Sequence, residues 1–479
     1  MVKSANDERF LQAEALVKAG QISLARLLIQ KLFSTELDRA NRLRLANLAR
    51  RVGRIDLGLR ILRPIIYPER GPKASEAERT EYAVLLSLNG NNLEAFGLLK
   101  NSSTPPALLA KAWCHFERWE YAEAVPLLEK YIQVQKDPYY LAAGWINLAE
   151  AYGGTAHWES SLNFLDQALA FTKDSTFMRL RANALHVRAQ GLAAIGELSH
   201  SNRDLDEAEK LFGAGDTNDA FLIHRQRAIN KSQAQHDPGP LRRFSQSAKR
   251  SGNWEAWREI DFQLLRISFN EKRFSRLYFG TPYPAYRTRL LNEFSCPAPE
   301  FYTWGKSKAP TLHLLNGELE NQMQLKGQDL ELIRCLSRDL YVPASIGKIF
   351  TELFPRESFS QLHSPNKIHQ AVFRLRAKLA AAKVPIEIVN ENGLFSIQLT
   401  GHICVEIRAL PDFESPLSRL ELQYGKTEFS ASEARVLLGL PKTSLNRILK
   451  EGFETGRIEV RGKLKNTRYR FQQIRKNGG

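Results

Sequence analysis

The 479-residue sequence predicts a mainly α chain. An array of paired helices is expected over residues 1–270, an aromatic and proline-rich connector over 271–310, and two small α+β units over 311–405 and 406–479. Three observations carry this reading. Small and large apolar residues recur at helical spacing through residue 270, broken by Gly or Asn turns. Two later segments, Ser364–Leu379 and Lys442–Phe453, each read as a helix with one apolar face and one basic, amide-bearing face. Each of those helices follows a shorter helix and precedes a β-hairpin pattern.

The array is clearest where Ala13, Leu16 and Ala19 lead into a turn at Gly20 and Ile22, Ala25 and Leu28 resume the pattern. Related units contain Ala46, Ala49, Gly53, Leu59 and Leu62, and then Ala83, Leu86, Gly90, Ala95 and Leu98. Further units carry Ala112, Trp113, Trp119, Ala124 and Leu127, then Trp145, Leu148, Tyr152, Trp158 and Leu162. The first turn glycines lie 33 and then 37 residues apart. This pattern resembles tetratricopeptide repeats (TPR), in which small residues let paired helices approach and large ones fill the gaps between neighbours. The resemblance implies an α-solenoid whose concave face receives a peptide, a protein or a small ligand. Trp113, Trp119, Trp145 and Trp158 read as packing residues. Arg179, Arg181, Arg188, Arg225 and Arg227 read as a solvated helix face, with a basic groove as the alternative. QHDPGP at 235–240 interrupts the helical pattern. Beyond it, Phe279, Tyr283, Tyr286, Phe301, Tyr302 and Trp304 are too numerous for a bare linker, so the connector is expected to be ordered.

The unit at 311–405 opens with TLHLL and MQL strand patterns around an Asn316-Gly317 turn. Helices are expected near Gln328–Ser337 and Ser345–Leu353. The third helix has Ser364 as its expected N-cap and Pro365 at its first position. Ile368, Val372, Leu375 and Leu379 form its buried stripe, while Asn366, Gln370, Phe373 and Arg374 point away beside Lys367. IEIV, a turn at Asn390–Gly393 and LFSIQL read as a hairpin. With its VFRLRAKL stretch and the Gly393-Leu394-Phe395 closure, this unit resembles the OmpR/PhoB-type winged helix-turn-helix effector domain. The resemblance implies that the third helix enters the major groove of double-stranded DNA, with Asn366, Gln370 and Arg374 at base edges and Lys367 on phosphate. His369 reads as a bystander, and Arg376 as either a structural contact or a DNA contact. No receiver domain precedes the unit, and its wing, Asn390-Glu391-Asn392, is not basic.

In the last unit Ser430-Ala431-Ser432-Glu433 is a capping-box pattern. Gly439 turns the chain and Pro441 opens a helix expected to face Leu445, Ile448, Leu449 and Phe453 inward and Thr443, Asn446, Arg447 and Lys450 outward. RIEVRGKLKNTRYRF then alternates around a basic tip of Arg461, Lys463, Lys465 and Arg468. This arrangement is similar to the MarR-like winged helix, which implies a second DNA-binding unit anchored through phosphates by those four residues.

Charge follows the same division. The chain carries a formal +16; residues 1–270 hold 36 Lys+Arg against 31 Asp+Glu, residues 271–479 hold 32 against 21, and the last 46 hold 12 against 3. A basic excess in the half that bears the two units points to a polyanion. Four separated cysteines (Cys114, Cys296, Cys335, Cys404) without CxxC spacing read as reduced, and no signal peptide or long apolar span is visible. No GxxxxGK[ST], HExxH, zinc-ligand or GxSxG pattern is present. The sequence therefore predicts a cytoplasmic, non-enzymatic, cofactor-free and metal-free DNA-binding transcriptional regulator of bacterial type, nucleoid-associated when bound, with no membrane partner. A scaffold using both kinds of domain for protein contacts is the competing class.

Overall fold

A computed structural model describes residues 5–471 apart from 19–20, 174–176, 213–216, 306–310, 315–324, 326, 401–403, 409–416, 418–419, 421–423, 425–426, 439–441, 455–456 and 463–466. The chain divides into two compact units, residues 1–407 and 408–479.

The first unit begins with helix hairpins: α1 (Ala5–Lys18) with α2 (Ile22–Phe33), α3 (Arg39–Arg51) with α4 (Ile55–Ile66), α5 (Glu76–Leu88) with α6 (Asn92–Leu99), and α7 (Pro105–Phe116) with α8 (Tyr121–Val134). It continues with α9 (Pro138–Gly154) and α10 (Trp158–Phe171), α11 (Met178–Ala194) and α12 (Leu198–Phe212), and α13 (Thr217–Gln235) and α14 (Gly239–Arg250). The first helix of most hairpins also packs on the first helix of the next, as in α1–α3–α5–α7 and α9–α11–α13. A hairpin alone cannot bury its apolar face, whereas stacking gives each face a neighbour. Ala46, Ala49, Ala83, Ala112, Ala149, Ala182 and Ala189 are fully buried at these contacts. The result is a TPR-like repeat array.

One backbone feature marks the turns. Gly53, Gly90, Trp119, Ala156 and Gly196 each adopt positive φ (77°, 92°, 60°, 61° and 90°) between the two helices of successive hairpins. The left-handed turn recurs even where glycine does not, which explains why glycine spacing tracks the repeat only at first. A Cβ in this region costs on the order of 1 kcal/mol. Ala156 is exposed and has no packing role to offset that cost. Ala156→Gly is therefore expected to stabilise the chain by about 0.5–1 kcal/mol after the extra unfolded-state entropy of glycine is subtracted. An unchanged denaturation midpoint would show that the turn carries no such cost.

The helical character continues past residue 250, through α15 (Trp254–Ile267), α16 (Glu271–Phe279) and α17 (Pro284–Phe294). Phe274, Leu277, Tyr286 and Leu290 share a core with Trp257, Phe262, Leu265 and Tyr341. Thus residues 271–294, read from sequence as connector, are helices that fasten the array to the mixed α and β segment beyond residue 300.

That segment contains β1 (Phe301–Gly305), β2 (Thr311–Leu314), α18 (Gln328–Arg338), β3 (Ala344–Ser345), α19 (Ile346–Leu353), α20 (Ser364–Ala381), β4 (Ile386–Glu391), β5 (Leu394–Leu399) and β6 (Cys404–Arg408). Sheet order is β1-β6-β2 in one sheet and β3-β5-β4 in the other. The leading strand pairs in parallel with β6, Thr311 opposite Cys404 and Leu314 opposite Ile407. The Asn316-Gly317 turn and the first two residues of MQL lie outside the described residues. β4 and β5 form the expected hairpin, Ile388 opposite Ile397.

The second unit contains α21 (Ala431–Leu438), α22 (Lys442–Glu454) and the antiparallel pair β7 (Ile458–Arg461) and β8 (Arg468–Phe471). Its core gathers Leu417, Leu420, Phe429, Ala434, Leu445, Leu449, Ile458 and Phe471.

Candidate nucleic-acid interface and repeat groove

Helix α20 buries Ile368, Ala371, Val372, Leu375 and Leu379 and exposes Asn366, Lys367, His369, Gln370, Phe373 and Arg374. The four expected readers and anchors of this unit (Asn366, Lys367, Gln370 and Arg374) therefore share the solvent side of one helix. Two carry internal partners. Arg374 donates from Nη2 to Gln328 at 3.1 Å and its Nε lies 3.9 Å from Asp329, while Lys367 pairs with Glu357. Exposed ion pairs of this kind are worth about 0–1 kcal/mol and exchange readily for a phosphate or base. Arg376 is settled as structural: it donates from Nε to the Ile388 carbonyl at 3.0 Å and so holds the hairpin.

One local expectation is corrected. Ser364 does not cap α20 as its N-cap; it lies inside the helix and is buried, its hydroxyl accepting from the Ser360 amide at 2.9 Å. Residue 363 takes the cap position without a side-chain bond. The serine instead closes the turn that leads into the helix. At the hairpin tip Asn390 Oδ1 accepts from the Gly393 amide at 3.0 Å, with Asn392 and Gly393 at φ 55° and 81°.

In the second unit the capping box is present: the Ser430 amide donates to Glu433 Oε2 at 2.7 Å and the Glu433 amide to Ser430 Oγ at 3.2 Å. These bonds, with Arg468 behind them, hold the Glu433 carboxyl below its usual range. Phe453 is not inward-facing as expected but 57% exposed. The seam runs from Leu445 through Ile448 and Leu449 to Gly452, where an added Cβ would lie 2.5 Å from Leu417. One residue on, a helix has turned about 100°, which carries Phe453 out. Asn446 and Lys450 are on the exposed side, and the side chains of Thr443 and Arg447 lie outside the described residues. Arg461 pairs with Glu428 at 3.1 Å and Glu459 at 2.8 Å, and Arg468 with Glu433 at 3.0 Å. Lys463 and Lys465 lie outside the described residues.

On the array, most of the arginines singled out from sequence are ion-paired. Arg181 meets Glu207 at 2.8 Å, Arg188 meets Asp204 at 2.7 Å and Asp166 at 2.8 Å, and Arg227 meets Asp206 at 2.7 Å. Arg225 differs. Its Nε is buried without a hydrogen-bond partner, burial lowers its pKa, and Glu259, Glu150 and Tyr121 are its electrostatic neighbours. Burial also raises the carboxyls of Glu117 and Glu150, although both side chains reach solvent. Nearby, Trp119 packs edge-on against Tyr286 at 4.7 Å, and the Tyr286 hydroxyl has no partner. Sequence reading named Arg225 and Trp119 but not these carboxylates, because each comes from a separate part of the chain.

A second feature escaped the sequence altogether. Arg258 on α15 is wholly buried; its Nη2 donates to both Asp339 oxygens at 2.7 Å, and its Nη1 to Glu255 at 2.9 Å. Asp339 Oδ1 also accepts from the amides of Tyr341 at 3.0 Å and Val342 at 2.8 Å, and Lys348 of α19 lies 3.7 Å away. At the other side of α19, Asn91 Nδ2 donates to the Gly347 carbonyl at 2.9 Å, and Ser345 Oγ to the Asn89 carbonyl at 2.8 Å. A Cβ on Gly347 would sit 2.1 Å from the Asn89 oxygen. The short helix that supports α20 is thus clasped by the α5–α6 turn and by α15.

No family model matches the sequence, and no curated protein matches it. Among solved structures, the chain is similar to a Rap protein complexed with competence and sporulation factor: 14% identity, TM-score 0.36, 79% of this chain and 93% of that one. It is also similar to the anaphase-promoting-complex hetero-tetramer Cut9–Hcn1: 14% identity, TM-score 0.35, 59% of this chain and 48% of that one. A third is a STAND ATPase with a tetratricopeptide repeat sensor from Pyrococcus horikoshii: 14% identity, TM-score 0.35, covering 61% and 45%. The chain spans about half the length of the Cut9–Hcn1 chain it matches. With TM-scores below 0.5, these likenesses add nothing to what the helices themselves show. Among the described residues no helix is long and apolar enough to cross a membrane, and no three His, Cys, Asp or Glu side chains converge to hold a metal.

Proposed function

We propose that the chain is a non-enzymatic, DNA-binding transcriptional regulator in which residues 311–405 and 406–479 act as winged helices and the repeat array receives a protein or peptide partner. The observation that carries this reading is α20. It contains Lys367, Arg374, Arg376 and Lys378 and no Asp or Glu, and Asn366, Lys367, Gln370 and Arg374 are exposed on its solvent side. A helix of +4 with hydrogen-bonding amides on its open side suits a major groove. The basic residues around β7 and β8 supply a sequence-independent anchor. The buried Arg225 with Glu150, Glu259 and Tyr121 around it is the partner's place on the array, and the clasp on α19 is the physical link between that partner and α20.

The test is a titration of the full chain against random and enriched duplex DNA at several salt concentrations. The whole chain is required because residues 311–407 share a compact unit with the array. Affinity should fall linearly with salt on a logarithmic scale. No binding even at low salt overturns the proposal and leaves the scaffold reading, which the exposed Phe453 favours.

A further inference from the structure

The two most exposed large apolar side chains among the described residues are Phe373 at 73% and Leu362 at 67%, one on α20 and one in the turn before it. Phe373 is the more informative because of its place on the helix. At about 100° per residue, Asn366, Gln370, Phe373 and Ala377 fall within an arc of roughly 60°, so the ring belongs to the outward stripe and borders it on the side away from Gln370. It lines an open depression of about 470 Å³ together with His369, Gln370 and Arg374. Nothing in the first unit covers it: among the described residues no ring stacks on it and no cation sits over it. An exposed phenyl ring flanked by an amide and a guanidinium needs an occupant that offers an apolar group between hydrogen-bonding edges.

In the major groove the 5-methyl group of thymine is that apolar group, and it projects between the polar edges of neighbouring base pairs. We infer that Phe373 is a specificity-determining residue that reads a thymine methyl, with Gln370 on an adenine and Arg374 on a guanine close by. The inference rests on the DNA-binding reading above. With four Lys and Arg side chains and no carboxylate, α20 is the charge complement of a duplex's phosphates, the occupant taken here.

The experiment is a methyl-deletion scan. Duplexes selected by the full chain from a random pool are resynthesised with deoxyuridine replacing each thymine in turn, which removes one methyl group and nothing else. For the wild-type chain, one position should show about a fourfold loss of affinity, the value expected for one buried methyl group. Phe373→Ala should bind the thymine and uracil duplexes equally, and Phe373→Leu should restore part of the preference. Phe373 is exposed, so neither variant endangers the fold. Selective binding with no uracil-sensitive position, or with a sensitivity that Phe373→Ala leaves intact, overturns the inference while leaving the regulator reading standing. Failure to select any duplex removes both.

Discussion

Asp339→Ala will destabilise the 1–407 unit by about 3 kcal/mol, because it strips Nη2 of the buried Arg258 of its partner and leaves only the half-exposed Glu255, 2.9 Å from Nη1, as counter-charge. The Arg258 side chain is 0% and the Asp339 side chain 2% exposed, so water cannot replace the lost partner. Rings of Tyr283, Tyr286 and Tyr341 surround the guanidinium at 5.6–6.0 Å and offer only their faces. Replacing both partners with apolar residues should cost far less, since the penalty lies in the orphaned charge and not in the loss of the pair. Denaturant unfolding of the two single variants and the double variant measures the difference, and equal losses in all three would show that shape, not charge, governs the site.

The same pair sets an acid limit. Burial pushes the Asp339 carboxyl up, but Arg258, Lys348 and the amide of Val342 pull it further down, so its folded pKa lies below its ordinary value. A depressed carboxyl contributes in full above its unfolded pKa, about 3.9, and that contribution is lost as pH falls through the folded value. Wild-type stability should therefore drop below about pH 4, and Asp339→Asn should flatten that part of the curve.

Arg374→Ala and Lys463→Ala should weaken DNA binding in different ways. Arg374 stands on the open side of α20 with its side chain 48% exposed, and its contact to Asp329 is long at 3.9 Å. Freeing it for a guanine costs at most about 1 kcal/mol. Its removal should reduce affinity for the preferred sequence by about 1–3 kcal/mol and leave non-specific binding nearly unchanged. Lys463 belongs to the stretch between β7 and β8, where Arg461 and Arg468 are already engaged by Glu428, Glu459 and Glu433. Its loss should weaken every duplex alike and lower the salt slope by about one unit. Identical behaviour of the two variants would remove the division into readers and anchors.

Much of the local structure was legible. The third helix of the first unit reads as Ser364–Leu379 and spans Ser364–Ala381; the hairpin of 386–399 and the capping box at Ser430 also emerge from sequence. These features depend on short periodicities and on contacts three or four residues apart. What failed needed information from far along the chain or from the packing of a neighbour. Ser364 looks like a cap until Ser360 is seen to use its hydroxyl, and Phe453 looks like core until Gly452 takes the seam. Nothing near Arg258 announces Asp339, 81 residues away, and nothing in Thr311–Leu314 announces a partner beginning at Cys404. The carboxylates near Arg225 are invisible for the same reason, since Glu150 on α9 and Glu117 in the turn after α7 look like ordinary surface residues.

The parallel pairing of β2 with β6 has a consequence for inheritance. Residues 311–407 begin and end on adjacent strands, so by that criterion they look like a cassette that could be cut out and moved between genes. The bonds from Arg258, Asn89 and Asn91 forbid it: a transplanted cassette would carry Asp339 and Gly347 away from the surfaces shaped to receive them. Recombination that shuffles whole modules should therefore exchange residues 1–407 together, and only the 408–479 unit is free to be gained or lost alone.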